Sequence, residues 1–459
     1  MIISFSVSNF LSIKKEQVLS FEASSDISYN EYFVREIGKY RLLKMGIIYG
    51  ANASGKTNIL KALDILRQLV TSSRDADKDI DYTPFLFDDE YRAGNCKMKL
   101  EFLVDDEGKY IKHIYELKFN AKEIVAESLK YYPGQQPAMI YQRVKSTNLE
   151  RGYTLKFGNG SKPKSEEQNI LESSTLINNT ILSAFNKVNP IIPQARRARK
   201  WFDESISPLL FPDFMAIERN ADNFFKNSLL RQAVLGEFVK KADYNISKFN
   251  FSEKASDIKK NERYPLDGYN NEIKAQNNAE SIASQITHEI MKMRNINRIQ
   301  KELSHVFKVK GELKEGNLPY LLESNGTKRS YELAAPLIEN LVSGKLMIID
   351  EIESSLHFDL VKYIILVFLA NSENSQMLFT THNLLLLDWE ILRHDVIWFT
   401  EKKEDGSTDL YSLAEFKELN RSNILKRYLS GQFGAKPDIY DYKLNLEDLK
   451  EDSNGKKNK

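Results

Sequence analysis

One stretch of the chain has the residue types and the spacing of a phosphate-binding loop. Residues 50–57 read GANASGKT, which matches the pattern G-x-x-x-x-G-K-T. In such a loop, successive backbone N–H groups surround an anion, and the following helix adds the positive end of its dipole. The motif predicts that Lys56 reaches the β- and γ-phosphates of ATP and that the Thr57 hydroxyl binds Mg²⁺. The predicted nucleotide-binding residues are Gly50, Asn52, Ser54, Gly55, Lys56, Thr57 and Asn58.

The segments on either side of this loop are those that the motif requires. Residues 45–49 form a short apolar run of strand type, and residues 58–66 have helical periodicity. A chance glycine turn in front of a helix is the alternative interpretation. The combination of strand, glycine loop and helix favours a phosphate-binding site.

A second candidate follows an apolar run in the second half of the chain. Residues 346–351 read LMIIDE, four apolar residues followed by two carboxylates. This pattern is typical of a buried parallel strand whose carboxyl end faces a ligand. We expect Asp350 to belong to the Mg²⁺ shell and Glu351 to polarise the attacking water as general base. The alternative is a structural strand that ends in an acidic turn.

Two further patterns lie around this strand. Residues 377–381 are predicted as another buried strand, followed directly by His382; in isolation, such a histidine would be structural. Before the Asp-Glu strand, Ser324 and Gly326 form an S-x-G pattern ahead of a helix predicted over 330–342. A serine hydroxyl, a glycine amide and a helix dipole together make an anion site.

Composition restricts the remaining possibilities. The chain has 459 residues, of which 42% are hydrophobic and 28% charged, with a net charge of +1, so no overall basic field points to nucleic acid. Cys96 is the single cysteine, which excludes an internal disulfide and fits a reducing, cytoplasmic setting. We see no signal peptide. The longest apolar run, at about 363–370, is too short to span a bilayer, so no membrane association is expected.

The chain is predicted to have two ATPase lobes separated by an insertion. The predicted domains are an N-terminal lobe at 1–132, a mostly helical insertion at 133–300, a C-terminal lobe at 301–440 and a charged tail at 441–459. Predicted strands are 2–7, of edge type, 17–21, the hairpin 98–104 and 110–119, and 127–132. Predicted helices within the insertion are 180–188, 194–202, 223–242 and 279–303.

Other polar clusters lie outside these motifs. A basic run beside a tryptophan could contact a phosphate backbone, although such a run is more often a solvated helix face; its residues are Arg196, Arg197, Arg199 and Lys200. His288 and Glu289 do not form a metalloprotease motif, because position 292 is a lysine. No histidine or acidic cluster has the spacing of a nuclease site, so we expect this chain not to cut nucleic acid or protein.

Taken together, these segments resemble the compact ABC-type AAA ATPases related to RecF and SMC heads, and in particular abortive-infection and phage-defence ATPases of the AbiL and PARIS kind. The resemblance covers 1–132 and about 300–440; it is carried by residues 50–58, 323–328, 349–357, 379–383, 393–399 and 428–437.

The resemblance implies an α/β fold, a P-loop NTPase of ABC-ATPase head type with a helical insertion. It implies that His382 contacts the γ-phosphate and that Ser324 and Gly326 complete the nucleotide pocket of a partner subunit. A homodimer or higher homo-oligomer would therefore hydrolyse ATP with Mg²⁺ and act as a sensor or regulator in anti-phage defence. The expected partner is an effector protein encoded nearby, with a Toprim-like or RloB-like nuclease suspected.

Alternatives to the defence role remain open at this point. One is a RecF-like DNA-maintenance ATPase that clamps DNA, and another is a transporter motor subunit. OLD-type nucleases are also similar, but they carry a Toprim domain after the ATPase, for which we expect no room here. The glutamine of the Q-loop is not identified, since Gln135, Gln136 and Gln142 lie in a stretch that looks like a loop.

Overall fold

The chain is described here from a computed structural model that covers residues 1–147, 151–185, 192–212, 214–226, 228–242, 245–252, 300–309, 311–416 and 423–435. It divides into two compact units. Unit 1 comprises Met1–Leu209, Ser343–Ile352 and Ser372–Lys459, and unit 2 comprises Leu210–Val342 and Glu353–Asn371. No helix among these described ranges is long and apolar enough to cross a membrane.

Unit 1 contains a large antiparallel sheet of seven strands in the order β10-β9-β8-β7-β6-β1-β2. These strands are β1 (Ile2–Ser8), β2 (Gln17–Ser20), β6 (Cys96–Asp106), β7 (Lys109–Phe119), β8 (Ile124–Tyr131), β9 (Ala138–Lys145) and β10 (Tyr153–Phe157). Strand β1 pairs with β2 on one side and with β6 on the other. The prediction that β1 is an edge strand was therefore wrong, which agrees with its almost continuous burial. The predicted hairpin of β6 and β7 is confirmed.

The region after residue 133 differs from the sequence prediction. We expected loop and helix there, but β9 and β10 extend the antiparallel sheet beyond β8. Gln142 consequently lies on a strand rather than in a loop. In β9, apolar and polar residues alternate over only a few positions, and this signal is hidden by the Gly- and Lys-rich flanks. The predicted domain boundaries stay predictions.

The second sheet of unit 1 has six strands in the order β11-β15-β16-β5-β17-β18. They are β5 (Met45–Gly50), β11 (Ile206–Leu210), β15 (Leu346–Ile349), β16 (Gln376–Thr380), β17 (Ile397–Lys402) and β18 (Thr408–Ser412). Strands β15, β16, β5 and β17 run parallel to one another. Strands β5, β15 and β16 are buried along their whole length, as their apolar sequences predict. Their carboxyl ends meet at one edge of the sheet, where α/β folds bind ligands.

The described part of unit 1 also contains helices and a small hairpin. The hairpin consists of β3 (Val34–Ile37) and β4 (Tyr40–Leu43). The helices are α1 (Asn30–Phe33), α2 (Lys56–Thr71), α3 (Asp89–Arg92), α4 (Ser165–Ser174), α5 (Ile181–Ala184), α6 (Pro193–Ser205) and α11 (Ile424–Leu429). Of the helix predicted over 180–188, α5 is present, whereas residues 186–188 lie outside the described residues. The predicted helix over 194–202 is confirmed as α6.

Among its described residues, unit 2 combines four helices with a three-stranded antiparallel sheet. The strands are β12 (Ile246–Ser252), β13 (Gln300–Val309) and β14 (Glu312–Pro319); the helices are α7 (Phe214–Lys226), α8 (Leu229–Ala242), α9 (Asn325–Ser343) and α10 (Phe358–Asn371). The helix predicted over 279–303 was wrong at its end, because residues 300–303 belong to β13; residues 279–299 lie outside the described residues. The charged tail at 441–459 also lies outside them.

Both units combine sheets with helices, and the glycine loop of residues 50–57 connects a central parallel strand to α2. The predicted α/β fold class with a P-loop NTPase core is confirmed.

Candidate functional site

The glycine loop lies between β5 and α2, at the carboxyl edge of the parallel sheet in unit 1. Two of its glycines are required sterically. A Cβ on Gly50 would lie 2.4 Å from Thr400 Oγ1, and one on Gly55 would lie 2.1 Å from Thr408 Oγ1. Gly55 also has a φ of +105°, a conformation that L side chains rarely adopt. The two motif glycines therefore let the loop pack directly against β17 and β18.

Lys56 is the first residue of α2 and is buried. Its Nζ donates hydrogen bonds to the carbonyl oxygens of Gly50, at 2.9 Å, and Ala51, at 3.0 Å. The ammonium group is thus held against the backbone at the start of the loop. This is the position from which a lysine can reach phosphates that the loop holds.

Asp350 lies at the carboxyl end of β15 and receives two hydroxyl hydrogen bonds. Thr57 Oγ1 donates to its carboxylate at 2.9 Å from Oδ2, and Thr380 Oγ1 donates to Oδ1 at 2.6 Å. The structure therefore brings Thr57 and Asp350 together, although 293 residues separate them in the sequence. Thr380, at the end of β16, was not identified from the sequence.

Glu351 follows Asp350 and has a positive φ of 48°, which is unusual for a residue other than glycine. Its backbone N–H donates to Thr380 Oγ1 at 2.8 Å. Its carboxylate is half exposed, and Oε1 lies 4.0 Å from Nε2 of His382. Thr380 thus contacts both acidic residues: it donates to the Asp350 carboxylate and accepts from the Glu351 backbone. Glu351 and His382 lie close enough to act on one group between or beside them.

The oxygen ligands suit a small divalent cation. Mg²⁺ prefers oxygen ligands and usually keeps several waters, so that one carboxylate and one hydroxyl beside the phosphates suffice. Thr57 and Asp350 supply such a pair. Within the described residues, no group of three or more His, Cys, Asp or Glu side chains could hold a metal ion. A bound Mg²⁺ would neutralise phosphate charge.

The S-x-G pattern belongs to unit 2. Helix α9 begins at Asn325 rather than at the predicted residue 330, so the pattern forms the N-terminus of the helix. Ser324 caps it: its Oγ accepts from the N–H of Thr327 at 3.0 Å, and its carbonyl accepts from the N–H of Lys328 at 3.0 Å. The prediction started the helix late because Asn, Gly and Thr have low helix propensity, whereas the serine cap overrides them.

The surroundings of this pattern fix its position within unit 2. A Cβ on Gly326 would lie 3.2 Å from the carbonyl oxygen of Ser355, so the glycine allows the two segments to approach each other. Glu323 is buried, and its Oε1 lies 2.7 Å from Nε2 of His305 on β13. Ser324 itself is exposed. The N-terminal end of α9 is thus fixed by the contacts of Glu323 and Gly326, while Ser324 is exposed to solvent.

The basic run on α6 is largely paired with acidic side chains. Arg199 is buried and forms an ion pair with Asp203, and one of its Nη atoms donates to the carbonyl of Thr71. Ion pairs also join Arg197 to Asp106, at 2.8 Å, and Lys200 to Glu204, at 3.8 Å. Of these predicted phosphate-contacting cations, the buried Arg199 therefore supports the structure of unit 1, whereas Lys200 forms an exposed surface pair. The pairs reduce the positive field that nucleic acid would meet.

The family described as "AAA domain, putative AbiEii toxin, Type IV TA system" matches residues 47–388. No curated protein matches the chain.

Solved structures of SMC heads are similar at low sequence identity. The SMC head domain from Thermotoga maritima has 13% identity and a TM-score of 0.39, covering 90% of this chain and 98% of that one. An SMC head bound to the C-terminal winged-helix domain of ScpA has 14% identity and a TM-score of 0.41, with coverages of 90% and 97%. The Pyrococcus furiosus Smc head with an extended coiled coil, bound to the C-terminal domain of ScpA, has 15% identity and a TM-score of 0.34, with coverages of 94% and 99%.

The matched range begins within β5 and includes the P-loop, the S-x-G helix, the Asp-Glu strand and His382. The chain belongs to this family of AAA domains, which supports the sequence-based resemblance to ABC-type and abortive-infection ATPases.

Proposed function

We propose that the chain hydrolyses ATP to ADP and phosphate with Mg²⁺. The single observation that carries this proposal is the arrangement at the edge of the parallel sheet, where Thr57 contacts Asp350 and Glu351 lies beside His382. In this arrangement Lys56 holds the terminal phosphates, and Thr57 and Asp350 hold Mg²⁺. Glu351 accepts a proton from the attacking water, and His382 donates toward the γ-phosphate.

The lysine provides the first test. Lys56→Ala should abolish ATP binding, because it removes the cation that lies at the loop. Binding is measured by calorimetry and hydrolysis by phosphate release, with the exposed Lys61 on α2 changed to alanine as a matched control. Wild-type turnover in Lys56→Ala contradicts the proposal.

The active unit in this proposal is a head-to-tail homodimer with ATP between the subunits. Two features of unit 2 support it: Ser324 is exposed, and the N-terminus of α9 provides dipole and amide groups for an anion. In a head-to-tail dimer this helix end serves the nucleotide of the other subunit. Light scattering should show ATP-dependent association of Glu351→Gln, which binds ATP without hydrolysing it.

A mixing experiment tests action in trans more directly. Glu351→Gln and Ser324→Ala should each be almost inactive alone. A mixed dimer contains one composite site with an intact Glu351 and an intact Ser324, so mixing should restore part of the phosphate release. Failure to restore activity, together with a monomer at every protein concentration, would contradict the dimer.

The cellular role in this proposal is that of a sensor whose ATPase cycle holds or releases an effector protein. Support comes from the description of the family, which names a putative toxin of a toxin–antitoxin system. The partner should be encoded beside this chain and carry the nuclease chemistry. Co-expression and co-purification with the product of the neighbouring gene, with and without ATP, tests this role. A neighbouring replication gene and no co-purified effector would favour a DNA-maintenance role instead.

A further inference from the structure

Buried hydroxyl groups outside the sequence motifs form hydrogen bonds with the P-loop. Ser54, in the middle of the loop, is buried, with 2% of its surface exposed. Its Oγ lies 2.6 Å from Oγ1 of Thr400 on β17, and its carbonyl accepts a hydrogen bond of 2.8 Å from Oγ1 of Thr408 on β18. Thr400 and Thr408 are also buried. Two strands that lie far from the loop in the sequence therefore contact the same loop residue.

The direction of each hydrogen bond follows from the single proton on each hydroxyl. Thr400 Oγ1 donates to the carbonyl of Tyr49 at 3.2 Å, so Ser54 Oγ must be the donor to Thr400. This first chain starts in the loop and ends at β5, the strand that leads into the loop. It consequently fixes the loop against its own entry strand.

The second chain starts on α2. Asn58 Nδ2 donates to Ser12 Oγ at 2.7 Å, and Ser12 Oγ lies 2.7 Å from Thr408 Oγ1. Because the Thr408 proton is used for the Ser54 carbonyl, Ser12 must donate to Thr408. This chain links the helix that follows the loop to the loop itself through residues of two other segments.

We propose that Thr400 and Thr408 are positioning residues of the nucleotide site. Together they connect Ser54 to the strand before the P-loop and to the helix after it, so that the backbone N–H groups are arranged for phosphate before ATP arrives. A preorganised loop pays less ordering cost when it binds. This inference rests on the proposed function, since it concerns ATP binding at the same loop.

The test compares ATP affinity in Thr400→Val and Thr408→Val. Valine keeps the shape of threonine and removes the hydroxyl, so each variant breaks one chain and leaves the core filled. We expect the Kd and KM for ATP to rise about tenfold in each variant, which corresponds to about 1.4 kcal/mol. The kcat at saturating ATP should change much less, because the loop contacts the phosphates in both ground state and transition state.

Three controls separate positioning from a general loss of stability. Thr408→Ser and Thr400→Ser keep the hydroxyl and should restore the Kd to near the wild-type value. Thr175→Val removes a buried hydroxyl that donates to the carbonyl of Leu171 on α4 and should lower the melting temperature without changing the Kd. Ser12→Ala breaks the second chain at a half-buried position, so it provides a further variant if Thr408→Val does not fold.

The outcomes distinguish this inference from the proposed function. If the wild-type chain binds and hydrolyses ATP while every folded valine and alanine variant has the wild-type Kd, the positioning role is wrong. If the variants lower the melting temperature and leave the Kd unchanged, the threonines are only structural and the inference is again wrong. If the wild-type chain binds no ATP, the proposed function fails first.

Discussion

Replacing Thr380 by valine should separate catalysis from ATP binding at this site. The Thr380 hydroxyl donates to Asp350 Oδ1 at 2.6 Å and accepts from the backbone N–H of Glu351 at 2.8 Å. Valine fills the same volume, so packing in the fully buried position is retained. The variant leaves an oxygen of the buried Asp350 carboxylate and the partly buried N–H of Glu351 without these bonds.

The magnitude follows from these two lost bonds. A hydrogen bond to a charged group contributes about 1.5–3 kcal/mol, and an unsatisfied buried donor costs about 1–3 kcal/mol. Because Thr57 still donates to Asp350, we expect the free energy of unfolding to fall by about 2–4 kcal/mol. Glu351 has a φ of 48° and loses the bond that holds its backbone. A displacement of about 1 Å should lower kcat by about 10- to 100-fold.

The assay measures kcat by phosphate release, Kd for ATP by calorimetry and unfolding by urea titration. Thr380→Val should lower kcat and leave the Kd nearly unchanged, whereas Thr380→Ser should recover most of the kcat. Thr175→Val serves as the control for a loss of stability without loss of activity. A Thr380→Val variant with the wild-type kcat would refute the positioning of Glu351 by Thr380.

The remaining predictions concern other parts of the chain. Burial raises the pKa of Glu332 on α9 to about 8, so the folded state binds a proton that the unfolded state releases above about pH 4.5. Stability should therefore fall as the pH rises from about 5 to 8, and Glu332→Gln should flatten this dependence in thermal melts; an unchanged slope contradicts it. Ser324→Ala removes the cap of α9 and should lower the stability by about 1 kcal/mol. The same variant should lose ATP-dependent association, and light scattering that matches the wild type would argue against this role of Ser324. His382→Ala should lower kcat more than it raises Kd, as measured by phosphate release and calorimetry, and the reverse pattern would exclude a role at the γ-phosphate. The purified chain should leave DNA, tRNA and total RNA intact in the presence of ATP and Mg²⁺ or Mn²⁺; cleavage that disappears in a point variant outside the ATP site would disprove this.

Residues that are adjacent in the sequence made part of the site predictable. The P-loop, Asp350 and Glu351 each lie within a short motif at the end of an apolar strand, and the structure places them at one edge of the sheet. Parallel strands bring their carboxyl ends together, so their proximity followed from the motif and the fold class.

The threonines could not be predicted, because their roles depend on which strands are neighbours. Thr400 lies opposite Gly50 in the register of β17 and β5, and Thr380 lies opposite Ile48 in the register of β16 and β5. A single sequence does not give this strand order. A threonine at the end of a strand has no signal of its own, since it is a common residue in strands.

The errors in the predicted strands have similar causes. Strand β1 appeared to be an edge strand because its alternation is visible in the sequence, but its second partner, β6, begins almost 90 residues later, at Cys96. Strand β9 was missed because pairing with β8 stabilises it despite its polar flanks. In both cases, partners outside the local sequence determine the structure.

We propose that Glu351 is the general base of an ATPase. The most direct measurement compares phosphate release and ATP binding for the wild-type chain and Glu351→Gln under the same Mg²⁺ concentration. We predict steady hydrolysis by the wild type, and loss of hydrolysis with retained ATP binding in Glu351→Gln. Hydrolysis at the wild-type rate by Glu351→Gln, or a wild-type chain that binds no ATP, would contradict the claim.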